Sequence, residues 1–362
     1  MKKNAVAVIA FAAAVITSFI VPPDKEYINY FDFKTLSCLF CVLAVVCALR
    51  NIRFFYALAQ SVVKIFKNAR MCVTALVYIT FIGSMLMAND MALLTFLPLG
   101  YMVLTTTGKE KYMAKTFILQ NIAANLGGML TPFGNPQNLY LYSKFNIPDG
   151  EFLSIMAPSF ALSIALITLC CIVFIKAEPL EVANEPIKLS PVRVSVYMCL
   201  FALSIIMVFR VIPYWIGLIA VPAVLIFMDR KALKDVDYSL LLTFVFFFIF
   251  AGNMGRIAPV REMFSSLLSW NTLVVSAVSC QFISNVPSAI LLSQFTTDYP
   301  MLLIGVNIGG TGTIIASLAS LITFREYTKH NRGKAGKYLA EFSAFNFAFL
   351  IILIIFNLVL KG

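Results

Sequence analysis

The stretch Asn125–Tyr142, NLGGMLTPFGNPQNLYLY, interrupts an apolar segment with glycines, two prolines and several amide side chains. Backbone inside a membrane must satisfy its own hydrogen bonds, so such an interruption is tolerated only within protein or beside a watery cavity. A related stretch, NIGGTGTIIASLASLITF at 307–324, shares the Asn-(Leu/Ile)-Gly-Gly motif 182 residues later and aligns Thr313 with Thr131. The pair predicts two broken membrane helices in an internal repeat.

Composition sets the class of protein. The chain has 362 residues, is 60% hydrophobic and only 12% charged, and has a mean hydropathy of +0.89. Soluble domains are about one quarter charged, so the sequence predicts an all-α polytopic membrane protein. The net charge of +11 comes from basic residues in short loops between apolar runs, which is a signal of membrane orientation and not of nucleic-acid binding.

Cysteine and histidine give no sign of a metal centre. The eight cysteines all lie in apolar segments. The Cys38-x-x-Cys41 motif lacks the second pair of ligands that a metal site would need, and the chain has a single histidine, His330. Buried cysteine behaves as a small hydrophobe. We therefore expect no cofactor and no metal beyond a possible coupling Na⁺. The N-terminal run resembles a signal peptide but lacks a clear small-x-small cleavage site, and we interpret it as a retained first membrane helix.

Hydropathy and charge predict the topology. Apolar runs of spanning length lie at 5–21, 33–49, 152–176, 194–211, 213–228, 239–252 and 339–361, and two amphipathic stretches, 51–69 and 256–269, are predicted to lie on the membrane surface. Basic residues cluster before the first run, at 50–70, at 109–115, at 230–234 and at 325–337. These clusters predict a protein of the plasma (inner) membrane with a cytoplasmic N-terminus and an external C-terminus.

Two further apolar segments carry polar tips and resemble hairpins. SMLMANDMALLTFLPL at 84–99 aligns with SCQFISNVPSAILLSQ at 279–294, so that Asn89 matches Asn285. The predicted units are 1–176 with a re-entrant hairpin at 71–107 and a broken helix at 112–142, a linker with an extra membrane helix at 177–212, and 213–362 with a hairpin at 271–296 and a broken helix at 299–324. The charge pattern gives the two units opposite orientations. An inverted repeat with broken helices is typical of a secondary transporter whose site lies at the membrane midplane. The alternative, ordinary kinks or extramembrane turns, is disfavoured by the second copy.

The polar residues of these segments are the candidate site. Asp90 is an acidic residue deep in an apolar stretch, where an ionisable group usually has a functional role, and amide and carbonyl oxygens are ligands that hard cations prefer. The predicted coupling-ion residues are Asn89, Asp90, Gly128, Ser284, Asn285, Gly310 and Thr311. The predicted substrate-binding residues are Thr131, Gly134, Asn135, Gln137, Asn138, Ser288 and Thr313. For Asp90, Asn89 and Asn285, capping of the hairpin helices remains an alternative or an additional role.

The motifs ANDMALLTFLPL, LTPFGNPQNLYLY, FISNVPSAILLSQF and GGTGTIIASLASLI resemble those of the arsenite permease, NhaD-type antiporter and citrate-transporter group. That group belongs to the ion transporter superfamily, which also contains the divalent-anion:sodium symporters. The resemblance covers almost the whole chain and implies an elevator-like, often dimeric transporter. Symporters of the superfamily carry Ser-Asn-Thr at each hairpin tip, whereas this chain has Ala88-Asn89-Asp90 and Ser284-Asn285-Val286, so dicarboxylate recognition does not transfer directly.

These observations predict a cation-coupled permease, using Na⁺ or H⁺, for a small anion such as citrate or a dicarboxylate. A Na⁺/H⁺ antiporter and an arsenite exporter of the same fold remain alternatives. A channel is disfavoured because hairpins and broken helices suit an occluded site, and an enzyme because no nucleophile–base pair or zinc ligand set is evident. The expected partners are an anionic substrate, membrane lipid and, through the resemblance, a second copy of the chain.

Overall fold

The computed structural model describes residues 5–180 and 187–361. These residues are helical, and their only β-type pairing is a single bridge between Asn68 and Pro179. Seven of the described helices are long and apolar enough to cross a membrane. The predicted all-α polytopic membrane protein is therefore confirmed. Lys2 and Lys3, which contribute to the predicted orientation, lie outside the described residues.

The helices fall into continuous spans and interrupted segments. In chain order they are α1 (Ala5–Ile20), α2 (Phe33–Asn51), α3 (Phe54–Val63), α4 (Ala69–Leu86), α5 (Asn89–Thr106), α6 (Met113–Gly127), α7 (Pro136–Lys144), α8 (Asp149–Phe174), α9 (Pro191–Val208), α10 (Tyr214–Met228), α11 (Arg230–Lys234), α12 (Tyr238–Arg256), α13 (Ala258–Ile283), α14 (Asn285–Leu292), α15 (Tyr299–Ile308), α16 (Leu318–His330) and α17 (Ala335–Lys361). Among the spans, α1 packs along α12, and α2 packs against both α9 and α10.

The first hairpin consists of α4 and α5. The Asn68 side chain accepts the backbone N–H of Met71 and so starts α4, which ends at Leu86. Met87 and Ala88 reverse the chain, and α5 begins at Asn89. Each leg has 18 residues and is about 27 Å long, so the tip lies far from the open end.

The second hairpin is shorter. Helix α13 bends at Asn271, whose backbone is extended (φ −166°, ψ 101°). The Asn271 side chain accepts the N–H of Val274 at 2.9 Å and starts a new helical segment that ends at Ile283. The chain turns at Ser284, which has a left-handed φ of 74°, and α14 returns over only eight residues, Asn285–Leu292. At about 12 Å this second leg is too short to span a bilayer, as a re-entrant hairpin requires.

Each broken helix stops where its sequence removes helical hydrogen bonding. After α6 the chain makes a short 3-10 turn over Gly128–Leu130 and becomes extended before Pro136 opens α7. Proline is well tolerated there because the first helical N–H has no partner within the helix. After α15 the chain passes through Gly312, whose φ of +112° suits only glycine, and Ser317 caps α16. We call residues 128–135 the first break and residues 309–317 the second break.

The broken helices pack on the hairpins through equivalent glycines. A Cβ atom on Gly127 would lie 2.2 Å from the carbonyl oxygen of Phe81, and one on Gly309 would lie 2.9 Å from the Cα of Ala277. The two glycines are 182 residues apart. Phe81 and Ala277 are 196 residues apart, which is also the separation of Asn89 and Asn285. These close approaches at matching positions support the predicted internal repeat.

The two ends of the long helix α8 contact residues near the open ends of the two hairpins. It has 26 residues and is about 39 Å long. At its C-terminal end, Arg70 at the start of the first hairpin donates from Nε to the carbonyl oxygen of Ile175 at 2.7 Å. At its N-terminal end, Glu151 accepts a hydrogen bond from Tyr299, which follows the second hairpin, at 2.5 Å. The hairpins therefore open toward opposite ends of α8.

Candidate functional site

Both hairpin tips and both breaks meet in one buried cluster of amide and hydroxyl side chains, which we call the central cluster. Its members occupy matching positions of the two halves, and each is at most 5% exposed. They are Asn89 and Asn285 at the tips, Asn125 and Asn307 just before the breaks, and Asn135 and Ser317 at the last positions of the breaks. Buried amides are costly unless they are hydrogen-bonded, so the partners of these groups define the site.

The first tip contacts α6 and the second break. Asn89 donates from Nδ2 to the Oδ1 of Asn125 at 3.0 Å and to the Oγ of Ser317 at 3.4 Å. Its Oδ1 accepts the backbone N–H of Asp90 at 2.9 Å. Asp90 lies in the first turn of α5 and is half-buried. The Asn89 oxygen therefore satisfies one backbone N–H at the start of α5, and its second lone pair leaves room for another ligand.

The second tip is held by the second break. The backbone N–H of Asn285 and the hydroxyl of Ser284 both donate to the carbonyl oxygen of Ala316, at 3.0 and 3.2 Å. The Asn285 Oδ1 accepts the N–H of Val286 at 2.9 Å, which repeats the arrangement at Asn89. A left-handed serine such as Ser284 costs free energy and persists only where its surroundings hold it. Here the shared carbonyl does so.

Asn307 connects the second half to the first break. Its Nδ2 donates to the carbonyl oxygen of Leu303 at 2.8 Å and to the Oδ1 of Asn138 at 2.6 Å. Its Oδ1 accepts from Asn135 at 3.3 Å and from Gln137 at 3.4 Å. Three of the predicted substrate-binding amides, at 135, 137 and 138, are thus brought together around one residue that the sequence analysis did not select.

The loose carbonyls of the first break are satisfied by a side-chain amide. Asn138 donates from Nδ2 to the carbonyl oxygens of Gly128, Met129 and Thr131 at 3.1–3.2 Å. The Thr131 hydroxyl donates to the carbonyl oxygen of Met85 in the first hairpin at 2.9 Å. Both side chains are among the predicted substrate-binding residues, and their hydrogen-bond donors hold the break in this structure.

The second break is held in the same way by Gln281. This side chain donates from Nε2 to the carbonyl oxygens of Gly309 and Thr311, at 2.9 and 3.1 Å, and its Oε1 accepts the N–H of Thr313 at 2.8 Å. The Thr313 hydroxyl donates to the Gln281 carbonyl oxygen at 3.0 Å. Thr131 and Thr313 therefore make equivalent contacts with matching positions of the two hairpins, Met85 and Gln281.

The remaining predicted residues lie within the cluster or close to it. Gly310 lies between the tips and the breaks, since a Cβ there would be 3.2 Å from Nδ2 of Asn285 and 3.3 Å from Oδ1 of Asn125. Gly134 closes a turn by donating its N–H to the Thr131 carbonyl oxygen at 3.2 Å. Ser288 is buried within the second hairpin, where its hydroxyl lies 3.0 Å from that of Ser279.

Helix ends give the cluster its electrostatics. The N-terminal ends of α5, α14, α16 and α7 meet here, because their first residues and caps make the contacts just described. The C-terminal ends of α6 and α15 meet here as well. Helix N-termini carry partial positive charge and C-termini partial negative charge. The cluster therefore offers environments for an anion and for a cation side by side.

Five residues that hold the cluster or the broken helices are not among the predicted site residues. They are Asn125, Asn307, Ser317, Gln281 and Arg210. The first two belong to the repeated motif quoted above, and their spacing could have identified them. Arg210, just after α9, donates to the carbonyl oxygens of Tyr142 and Ile147. It thereby satisfies the C-terminal end of α7 and joins the extra helix to the broken helix. No sequence signal distinguished it from a basic residue at the membrane boundary.

Nothing in residues 5–180 and 187–361 suggests a metal centre of the usual kind. No group of three His, Cys, Asp or Glu side chains in these residues is close enough to bind a metal ion. Six of the eight cysteines are buried, among them Cys38 and Cys41 of the C-x-x-C motif. They pack in the apolar core.

Fold and site together define a polytopic membrane protein with a polar cluster where interrupted helices meet, which is the architecture of a membrane transporter. The sequence model of the citrate transporter family matches residues 1–298, and the chain belongs to this family. The predicted relation to the ion transporter superfamily is therefore confirmed.

The curated relatives are similar over most of their length. The chain is 30% identical to an uncharacterized transporter of Methanocaldococcus jannaschii over 87% of this chain and 86% of the relative. It is 29% identical to the inner membrane protein YbiR of Escherichia coli, over 85% and 84% of the two chains. It is 24% identical to an uncharacterized transporter of Mycobacterium tuberculosis, over 86% and 83%. The protein is thus an integral membrane transporter, and two of these three relatives are themselves named transporters.

Proposed function

We propose that this transporter is a cation-coupled permease for a small anion such as citrate or a dicarboxylate. The observation that carries the proposal is the convergence of both hairpin tips and both breaks on one buried polar cluster. The contact of Asn89 with Ser317 and the contacts of Asn307 with the amides at 135, 137 and 138 connect the two halves directly. A site built from both halves, with hairpins that open toward opposite ends of α8, can become accessible from each side of the membrane in turn.

The chemistry of the cluster suits an anion beside a cation. Four helix N-termini carry about half a positive charge each, which favours a carboxylate. Amide oxygens and the C-terminal ends of α6 and α15 favour a cation. Asp90, in the first turn of α5, supplies a group that can exchange a proton. For this reason a Na⁺/H⁺ antiporter is the second candidate, and arsenite export is a third possibility within the same fold.

The proposal includes a membrane orientation and an assembly. Basic residues are concentrated at the end of α8 where the first hairpin opens, for example Lys109 and Lys111, which form ion pairs with Glu178. By the positive-inside rule this end faces the cytoplasm of the plasma (inner) membrane, with the N-terminus inside and the C-terminus outside. An elevator-like motion of the hairpins and broken helices, in a homodimer, completes the proposal. Na⁺ is the candidate coupling ion, and no organic cofactor is required.

Flux into proteoliposomes tests the function directly. We expect uptake of radiolabelled citrate or a dicarboxylate to require an inward Na⁺ or H⁺ gradient. Acidification driven by sodium alone, without anion uptake, would establish the antiporter instead, and gradient-dependent movement of arsenite alone would establish the third candidate. Flux of none of these solutes in vesicles that contain folded protein would refute the proposal.

Variants locate the activity in the cluster. Asn285→Ala should abolish coupled flux, whereas Asn357→Ala should not, because Asn357 is an equally buried amide on α17 that accepts a hydrogen bond from Ser159 on α8. Asp90→Asn should remove the dependence of flux on pH or sodium, and Asp90→Glu should retain part of it. Unchanged coupling in Asp90→Asn would exclude Asp90 from ion exchange.

A further inference from the structure

The hydrogen bonds of Asn307 fix the orientation of two neighbouring amides. Its Nδ2 is engaged by the Leu303 carbonyl and by Asn138, so its Oδ1 can only accept. The assignment is secure because the Leu303 carbonyl oxygen is an acceptor and never a donor. Asn135 and Gln137 therefore turn their NH₂ groups toward this oxygen, and their own oxygens turn away from it.

Those two oxygens are buried and lack a donor. Asn135 and Gln137 are each 1% exposed. Neither the Oδ1 of Asn135 nor the Oε1 of Gln137 has a hydrogen-bond partner among the described residues. Buried amide oxygens are rarely left in this state, since each costs roughly 1–3 kcal/mol. Both NH₂ groups bind the same atom of Asn307, at 3.3 and 3.4 Å, so the two amide groups are close neighbours.

The loose carbonyls of the breaks do not offer a better cation site. Asn138 occupies three carbonyls of the first break, and Gln281 occupies two of the second break. In each case an amide NH₂ has the position that a cation would need. The Asn135 oxygen, by contrast, faces Gly128, since a Cβ there would lie 2.5 Å from it. It therefore lies at the C-terminal end of α6, where helix polarity favours positive charge.

The second half has no equivalent of these oxygens. The positions that match Asn135 and Gln137 are Ser317 and Ala319. The Ser317 Oγ already accepts from the N–H of Ala319 at 3.2 Å and from Asn89 at 3.4 Å, and alanine offers no side-chain ligand. The asymmetry restricts an amide-oxygen site to the first break.

From these observations we propose that Asn135 Oδ1 and Gln137 Oε1 are ligands of a single Na⁺ ion in the first break. This assignment rests on the proposed function and replaces substrate contact as the role of these two oxygens, because a carboxylate would be repelled by them. Amide oxygens are suitable ligands for a hard cation. One ion of this kind is bound per chain.

Direct sodium binding tests the site. Full-length protein in detergent is titrated with ²²Na⁺ at constant ionic strength, with choline as the replacement cation. The wild type should bind one ion per chain saturably. Asn135→Ala and Gln137→Ala should each raise the half-saturating concentration at least tenfold, and the control Asn357→Ala should leave it unchanged. Asn135→Asp and Gln137→Glu keep the size of the side chain and should bind sodium at least as tightly as the wild type.

The outcomes separate this inference from the proposed function. Absence of saturable sodium binding to the wild type, or wild-type affinity in both alanine variants, would overturn the site. If the alanine variants do not elute as folded protein, weaker binding in both acidic variants would overturn it as well. Anion flux driven by a proton gradient, with no sodium binding, would leave the permease standing and remove only the sodium site. Sodium binding without any anion flux would support the sodium site and refute the proposed anion permease.

Discussion

Gly127→Ala is the substitution for which the structure gives the sharpest expectation. The added methyl group would lie 2.2 Å from the carbonyl oxygen of Phe81, while contacts of a Cβ below 3.0 Å are essentially never observed. The first hairpin must therefore withdraw by at least about 0.8 Å. That movement would stretch the 2.9 Å hydrogen bond between Thr131 and the Met85 carbonyl beyond useful length.

The expected cost follows from these displacements. Overpacking costs about 1–3 kcal/mol, and the weakened hydrogen bond about 1 kcal/mol more. The better helix propensity of alanine offsets roughly 0.5–1 kcal/mol of this destabilisation. The net result is a destabilisation of about 1–3 kcal/mol, which corresponds to a melting temperature lower by roughly 1–4 °C in a chain of 362 residues. Coupled flux should fall as well, because the first break loses its anchor.

A thiol-reactive fluorescent dye can measure the melting temperature, since six of the eight cysteines are buried and become reactive on unfolding. Gly150→Ala is the matched control. Gly150 lies in the first turn of α8, and a Cβ there meets nothing within 4 Å. The control should melt at or slightly above the wild-type temperature. If Gly127→Ala melted at the same temperature as Gly150→Ala, the close approach of α6 to the first hairpin would be refuted.

Three further expectations concern the second half and the loop beneath the first hairpin. Thr313→Val keeps the side-chain shape but removes the hydroxyl that bonds the Gln281 carbonyl, so it should cost about 1 kcal/mol, and an unchanged melting temperature would contradict this. Gln281→Ala leaves the carbonyls of the second break without donors and should cost more, about 1–3 kcal/mol, so a loss no larger than that of Thr313→Val would be the contrary result. Hydrogen bonds from Lys111 and Lys109 lower the pKa of Glu178 to about 2. The stabilisation from this lowered pKa is therefore complete above the ordinary carboxyl range and is lost only as pH falls toward 2. Glu178→Gln should consequently differ from the wild type by the same amount at pH 7 and pH 5 and by less at pH 3 in a salt-matched thermal melt, and a difference as large at pH 3 as at pH 5 would contradict the lowered pKa.

The fold was predictable where its signals are local. Glycine and proline act within a few residues of the chain, so Gly128 and Pro136 were enough to place the first break. The boundary at Asn271 was predicted as well, since the amphipathic stretch 256–269 ends just before it and the hairpin 271–296 begins there, but the sequence did not show that the Asn271 side chain caps the new helical segment. Its extended backbone depends on the packing of the second hairpin against α15.

The sequence predicted most of the residues that form the candidate site, but not how their amide groups are oriented. The sequence identifies Asn135, Gln137 and Asn138 as neighbours, yet it cannot tell which of their atoms are already engaged. Asn307, 169 residues from Asn138, decides that question. Gln281 was missed for the same reason, since a long amide side chain chooses its partners only after the hairpin and the break have docked.

The matched glycines have a consequence for how the protein could be controlled. Gly127 and Gly309 hold similar joints, and the hairpins of those joints open toward opposite ends of α8. Weakening only one of these two contacts would shift the equilibrium between inward-open and outward-open states toward one side of the membrane. The same change of glycine to alanine in the other half would shift that equilibrium in the opposite direction. One kind of substitution thus has opposite effects on this equilibrium at the two positions. A chain that carries both substitutions would have nearly the wild-type equilibrium but a lower free energy of unfolding.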